Sequence, residues 1–212
     1  LKMRARIFLA DDHSLLLDAF SNLLKSEYEI VGTATDGRMM LKMVTKLAPD
    51  LVLMDIAMPN LNGFDAGEKL KKILPDTKLV FLTVNEDPDM VHEALRIGAS
   101  GYLLKSSASS ELFQAIEAVL NSRTYVSPKL AESLADAQIK KPGTQKVHGD
   151  LSVRQREVLQ LLAEGHTMKK VAAILNITPR TVAFHKYQIM ETLDVKSNSE
   201  LIQYAVKHGI VS

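Results

Sequence analysis

Cysteine is absent from the 212 residues, which removes disulfides, thiol catalysis and cysteine-ligated zinc. No apolar run approaches the ~18–20 residues that a membrane span needs. The start, Leu1-Lys2-Met3, lacks the apolar stretch of a secretory signal. The sequon Asn176-Ile177-Thr178 then reads as a chance match, and a cytoplasmic protein without membrane contact is the expectation. No G-x-G-x-x-G occurs. Lys105-Ser106 resembles the end of a P-loop, but Leu104 stands where glycine is required. What is present is the composition of a globular chain, 46% hydrophobic and 24% charged. The net charge of +1 hides an asymmetry: residues 1–125 hold 14 Lys+Arg against 17 Asp+Glu, and residues 126–212 hold 12 against 8. An acidic half followed by a basic half suggests two domains, with any polyanion meeting the second.

To about residue 123 the hydrophobic pattern alternates between two periods. Aliphatic runs at 5–10, 29–34, 51–55, 78–84 and 101–104 read as strands. Segments of helical period lie between them, at about 14–26, 37–48, 64–73, 88–97 and 109–121. Five strand–helix units predict an α/β flavodoxin-like, doubly wound parallel sheet of five strands covered on both faces. Ser127-Pro128 opens a short helix through Ala137, and Lys140–Gln145 reads as an exposed linker. After residue 151 the strand signal ends. Ser152, Thr167, Thr178 and Ser197 each precede a helix, which predicts an all-α domain of four helices with a helix-turn-helix at its centre. The expected division is 5–123, a linker at 124–148, and 149–211.

Asp11-Asp12 end the first strand and Asp55 ends the third. Ligands of doubly wound sheets bind beyond the carboxyl ends of the strands at the switch in winding, so these three carboxylates converge there. Three anions at close range call for a cation, and an oxygen-only donor set with room for water suits Mg²⁺. A carboxylate beside that ion can accept a phosphoryl group. Any single Asp is more often a helix cap or a turn residue; three at one edge are harder to explain so. Thr83 near the end of strand 4 can bond a phosphoryl oxygen, and Lys105 at the end of strand 5 can neutralise its charge. Tyr102 lies within strand 5, where its ring can move inward once Thr83 is drawn to the phosphate.

In the third helix of the second domain, Val182, Ile189 and Leu193 form a buried seam. Arg180, Ala183, Phe184 and Tyr187 share another face, which suits a major groove: Phe and Ala touch thymine methyls, while Arg180 and Lys186 reach phosphate or guanine. The competing reading packs Phe184 and Tyr187 on a neighbouring helix. His185 reads as a packing and capping residue. The fourth helix, with Leu201, Ile202, Ala205 and Val206, carries more apolar surface than a small module can bury.

Asp11-Asp12, Asp55-Ile56-Ala57-Met58-Pro59 with Gly63, Thr83 and Tyr102-Leu103-Leu104-Lys105 resemble a two-component receiver domain. Leu151-Ser152-Val153-Arg154-Gln155-Arg156-Glu157-Val158-Leu159, Ala163-Glu164-Gly165, Val171-Ala172 and Thr181-Val182-x-x-His185 resemble a LuxR-type helix-turn-helix. The combination resembles the NarL/FixJ response regulators. The resemblance implies that Asp55 is the phosphoacceptor for a sensor histidine kinase. It implies Mg²⁺ held by Asp11, Asp12, Asp55 and the backbone carbonyl of Ala57, with Lys105, Thr83 and Tyr102 as the switch. It places groove-reading residues at Ala183, Phe184 and Tyr187, backbone contacts at Lys170, Arg180 and Lys186, and a homodimer on double-stranded promoter DNA through the fourth helix. Ser106 replaces a common proline, so the cis peptide usual there is not expected, since a non-proline cis bond costs ~3–4 kcal/mol. Thr192 replaces a usually basic residue, which weakens the phosphate contribution. Ala57 cannot position a water, which predicts a long-lived phosphoryl state. The expected protein is a phosphorylation-switched transcription factor, not an enzyme beyond receiver-type self-phosphorylation and dephosphorylation. The alternative is a phosphorylation-independent DNA-binding regulator whose receiver is a docking or dimerisation platform.

Overall fold

A computed structural model describes residues 4–84, 86–132 and 151–211. Its first part alternates β1 (Arg6–Ala10), α1 (Ser14–Leu24), β2 (Glu29–Ala34), α2 (Gly37–Leu47), β3 (Leu51–Asp55), α3 (Gly63–Ile73), β4 (Lys78–Thr83), α4 (Pro88–Arg96), β5 (Gly101–Leu104) and α5 (Ala108–Leu120). A sixth strand, β6 (Tyr125–Val126), extends the expected five, and the parallel sheet has the order β2-β1-β3-β4-β5-β6. Two residues are too short a run for periodicity to register. β6 is held by pairing with Gly101 and Tyr102 and by the hydroxyl of buried Ser127, which accepts from Leu104 N (3.2 Å) and donates to Glu111 (2.6 Å). Pro128 then opens a helix as expected, described through residue 132; the expected end at Ala137 and the Lys140–Gln145 linker lie outside the described residues.

The strands read as continuous apolar runs because both sheet faces are covered. Phe8, Val52, Met54 and Phe81 point to the side of α2, α3 and α4, while Ile7, Leu9, Leu53, Val80 and Leu103 alternate toward α1 and α5. Met40 fills the first of these cores, whereas Met39 is 43% exposed. The sheet's winding reverses between β1 and β3, so the ends of those two strands open one crevice.

The second part is helical: α6 (Val153–Ala163), α7 (Met168–Leu175), α8 (Pro179–Thr192) and α9 (Asn198–Lys207). Ser152, Thr167, Thr178 and Ser197 each accept a backbone N–H at the N-cap, and Ser152 with Gln155 completes a capping box. Asn176 adopts a left-handed φ of 54° and ends α7, turning the chain into α8. Val158, Leu159, Leu161, Val171, Val182, Ile189 and Leu201 close a third core.

Candidate functional site

Asp11, Asp12 and Asp55 do converge. Together with His13 they offer ligand atoms all within 4.8 Å of one another, the cluster of this kind found among the described residues. Asp11 and Asp55 are buried, whereas Asp12 and His13 are exposed. Lys105 Nζ bridges the two buried acids, 2.7 Å from Asp11 Oδ2 and 2.8 Å from Asp55 Oδ2. Ala57 N–H donates to Asp55 Oδ1 at 3.3 Å. Burial pushes the Asp55 carboxyl above the usual range; Lys105 opposes this and the neighbouring Asp11 charge adds to it. Burial also works against the charge of Lys105, but hydrogen bonds to Asp11 and Asp55 outweigh it and hold the ammonium above its ordinary pKa. The donor set is oxygen-rich and partly exposed, and with three carboxylates against one ammonium it is two positive charges short of neutral, which fits a hard divalent cation.

His13 was not singled out by the sequence reasoning. Its Nδ1 lies 2.7 Å from Asp12 Oδ1 and 3.1 Å from Asp11 Oδ1, and it is the N-cap residue of α1. A histidine directly after an Asp pair at a strand end was the signal available.

Gly63 shows why this loop has its sequence. A Cβ there would stand 2.3 Å from Asp55 O and 2.7 Å from Ile56 Cα, so only glycine lets α3 start against the strand that carries Asp55. Thr83 is buried one residue beyond Leu82, which pairs with Asp55 across β3 and β4. The Tyr102 ring was expected to move inward on activation; here it is already fully buried, its hydroxyl bonded to Thr83. Burial drives its pKa up, partly opposed by that bond. Lys105 and Ser106 are joined without a cis peptide, and none occurs among the described residues.

On α8, Val182 and Ile189 are buried, whereas Phe184 and Tyr187 are 58% and 71% exposed. Neither ring packs into the third core. Arg180 is exposed beside them, Ala183 is half-buried, and Lys170 stands exposed on the first turn of α7. Lys186 is half-buried and lines a cleft with Asn198 and Ile202, on the flank toward α9. His185 is half-buried and its Nδ1 is sequestered without a hydrogen-bond partner, consistent with packing; the N-cap of α8 is Thr178.

A second group went unrecognised in the sequence: Arg156, Glu157 and Gln160 on α6, with Glu164 at its C-cap. Arg156 Nε donates to Asp65 Oδ1 (2.6 Å) and Nη2 to Glu68 (3.0 Å). Glu157 accepts from Lys69 and from Arg38. Gln160 Oε1 accepts from Asn62 N (2.8 Å), while its Nε2 donates to Met58 O (2.8 Å). Glu164 Oε1 accepts from Asn60 N at 3.0 Å. A stripe at 156, 160 and 164 is visible as helical spacing, but spacing cannot say what a polar stripe meets.

Fold and site together define a two-domain regulator: an α/β domain with an acidic crevice, followed by a helix-turn-helix. The family described as response regulator receiver domain matches residues 7–117, and that described as bacterial regulatory proteins, luxR family, matches residues 150–205. The oxygen regulatory protein NreC of Staphylococcus carnosus (strain TM300) is 36% identical over 214 residues, covering 97% of this chain and 99% of its own. A two-component response regulator of the LuxR family from Aurantimonas sp. SI85-9A1 is 31% identical with a TM-score of 0.62, over 65% of this chain and 99% of that one. The RcsB response regulator of Salmonella typhimurium shares the fold, with a TM-score of 0.67 at 23% identity over 97% of this chain and 98% of that one. The chain belongs to the response regulators with a receiver domain and a LuxR-type helix-turn-helix. Among the described residues no helix is long and apolar enough to cross a membrane.

Proposed function

We propose that this response regulator accepts a phosphoryl group on Asp55 from a sensor histidine kinase and thereby controls binding of its helix-turn-helix to promoter DNA. One observation carries the reading: three carboxylates and a bridging lysine meet at the switch point of the sheet. In the transfer, an Asp55 carboxylate oxygen attacks phosphorus, the P–N bond to the kinase histidine breaks, and an acyl phosphate forms. Asp11, Asp12, Asp55 and the Ala57 carbonyl would hold Mg²⁺, which when bound offsets the charge of the phosphoryl oxygens. Lys105 then turns from the Asp55 carboxylate to the phosphoryl group, and the Thr83 hydroxyl supplies a further hydrogen bond. Residues 5–123 form the receiver, 124–148 the linker and 149–211 the DNA-binding domain.

On DNA, Ala183, Phe184 and Tyr187 face the groove, and Lys170, Arg180 and Lys186 approach the backbone. A homodimer addresses half-sites about one helical turn, ~10 bp, apart. Ala57 beside Asp55 offers no side chain to orient a hydrolytic water, which favours a slow loss of the phosphoryl group. The test is binding to a fluorescent promoter fragment with Mg²⁺ and a small phosphoryl donor, for wild type and Asp55→Ala. Tighter binding for phosphorylated wild type alone is the expected result. Equal binding throughout, with phosphorylation verified by mass, would hand the site to the docking-platform alternative.

A further inference from the structure

Three carboxylates suit the acidic crevice to a hard ion, but the fourth donor there is a nitrogen. His13 Nδ1 stands 2.7 Å from Asp12 Oδ1 and 3.1 Å from Asp11 Oδ1. Asp11, Asp12, His13 and Asp55 all offer atoms within 4.8 Å of one another. Ligands bound at about 2.1 Å lie about 3.0 Å apart when adjacent on an octahedral ion and about 4.2 Å apart when opposite. The two short separations of Nδ1 are therefore those of neighbouring ligands on one ion.

Helix capping does not account for the placement of this ring. Asp36, Asn62 and Asp87 hold the same N-cap position on α2, α3 and α4, and each side chain accepts a backbone N–H of its helix. The His13 side chain makes no such bond. Its main chain is pinned instead. His13 O accepts from Leu16 N (3.0 Å) and Leu17 N (3.2 Å), and His13 N donates to Asp11 Oδ1 (2.9 Å). With the backbone fixed on both sides, the imidazole turns to the carboxylates and away from the helix. Lone pairs on Nδ1 and on two carboxylate oxygens repel at these distances unless a ring hydrogen or a metal ion lies between them. Lys105 does not fill that role, because its Nζ lies against the Oδ2 atoms of Asp11 and Asp55. The ring is exposed, so an ion reaches it from solvent.

We infer that His13 is a ligand of the divalent ion at the phosphoacceptor site and sets its metal preference, admitting first-row transition dications more strongly than three carboxylates alone would. The inference deepens the Mg²⁺ reading of this site and rests on it. Imidazole suits nickel, zinc and iron, whereas carboxylate and water suit magnesium. Magnesium keeps several of its waters and binds through carboxylates, with or without the ring. A transition ion gains the nitrogen bond. The chain has no cysteine, so no thiolate draws such an ion elsewhere. The occupant of the site then depends on which dications are abundant and not on magnesium alone.

The test is calorimetric titration of the full chain with Ni²⁺ and with Mg²⁺, as wild type, His13→Ala and His13→Asp. Nickel taken by other histidines is set aside by counting only the uptake that saturating Mg²⁺ suppresses. His13→Ala should lose about 10-fold or more of that nickel affinity and hold Mg²⁺ within about 2-fold of wild type. His13→Asp restores a donor but not the nitrogen, so it should tighten Mg²⁺ and leave the preference for nickel below that of wild type. The ring caps no helix, so circular dichroism should be unchanged in both variants. Co²⁺ adds a signature independent of affinity. Nitrogen ligation strengthens the ligand field, and the visible absorption of the wild-type complex should lie at shorter wavelength than that of His13→Ala. Equal losses of both ions in His13→Ala would reduce the ring to a support for Asp12 and overturn the inference. Unchanged nickel affinity or coincident Co²⁺ spectra overturn it too, while leaving the Mg²⁺ site in place. Wild type that takes up neither ion removes the cation site itself and the role of His13 with it.

Discussion

Asp55 is poorly stabilised where it stands. Burial raises its carboxyl pKa, the Asp11 charge adds to the rise, and Lys105 offsets only part of it. A carboxyl whose folded-state pKa is raised contributes stability that is fully present below the unfolded value and lost as pH rises through the folded one. Near neutral pH the ionised group therefore opposes folding. Asp55→Asn keeps the shape and removes the charge, while Lys105 keeps Asp11 at 2.7 Å. With divalent ions chelated, its melting midpoint should exceed wild type by a few degrees, and the gain should shrink as pH falls toward the carboxylate range. A calorimetric midpoint at or below wild type would show that Lys105 makes the ion pair net stabilising. Gly63→Ala acts in the opposite sense. Its Cβ meets backbone, Asp55 O and Ile56 Cα, and no flexible side chain can give way. Overpacking of this kind costs about 1–3 kcal/mol, visible in urea unfolding, and it displaces the strand end that bears Asp55. A variant as stable as wild type would mean that α3 shifts freely.

At the scale of elements, α8 divides into a buried face and an exposed aromatic one. Ile189 is fully buried and Phe184 and Tyr187 are exposed. Ile189→Ala should cost about 2–5 kcal/mol of the stability of the C-terminal domain. Phe184→Ala and Tyr187→Ala should stay within about 0.5 kcal/mol of wild type yet weaken binding to the promoter fragment. Loss of stability in the aromatic variants, measured by urea unfolding, would return those rings to a packing role. Element identity was legible because strands buried on both faces and helices with one apolar stripe leave different periods. The four caps of the second domain were legible for the same kind of reason: Ser and Thr satisfy backbone N–H groups within three residues of themselves. β6 was not legible, because its two residues depend on a partner strand and on Ser127, which no local pattern encodes. The convergence of Asp11, Asp12 and Asp55 followed from topology, whereas the polar stripe of α6 did not, since its partners lie about 90 to 120 residues away and only tertiary docking brings them into reach.

The whole molecule is held together by charge where its cores are separate. None of the three apolar clusters crosses from residues 4–132 to residues 151–211. The bridge is polar instead, and its centre is Arg156, 7% exposed, against Asp65, fully buried. Burial pushes the Asp65 carboxyl upward and Arg156 pulls it back without restoring the ordinary value. Breaking a buried pair from one side costs about 3–5 kcal/mol when the fold must keep the orphaned charge dry. Here it need not: if the domains part, water reaches Asp65 and neither core loses a residue. Arg156→Ala should therefore open the molecule before it unfolds it. Small-angle scattering should show a larger radius of gyration than wild type, while the receiver's unfolding midpoint, followed by calorimetry, stays unchanged. Adding Asp65→Ala should open it no further, because the pair is already broken, so the two substitutions should be strongly non-additive. An Arg156→Ala protein that remains compact with a lowered receiver midpoint would show that Asp65 stays dry in a closed molecule. The pair would then be part of the receiver's own stability rather than a latch between domains.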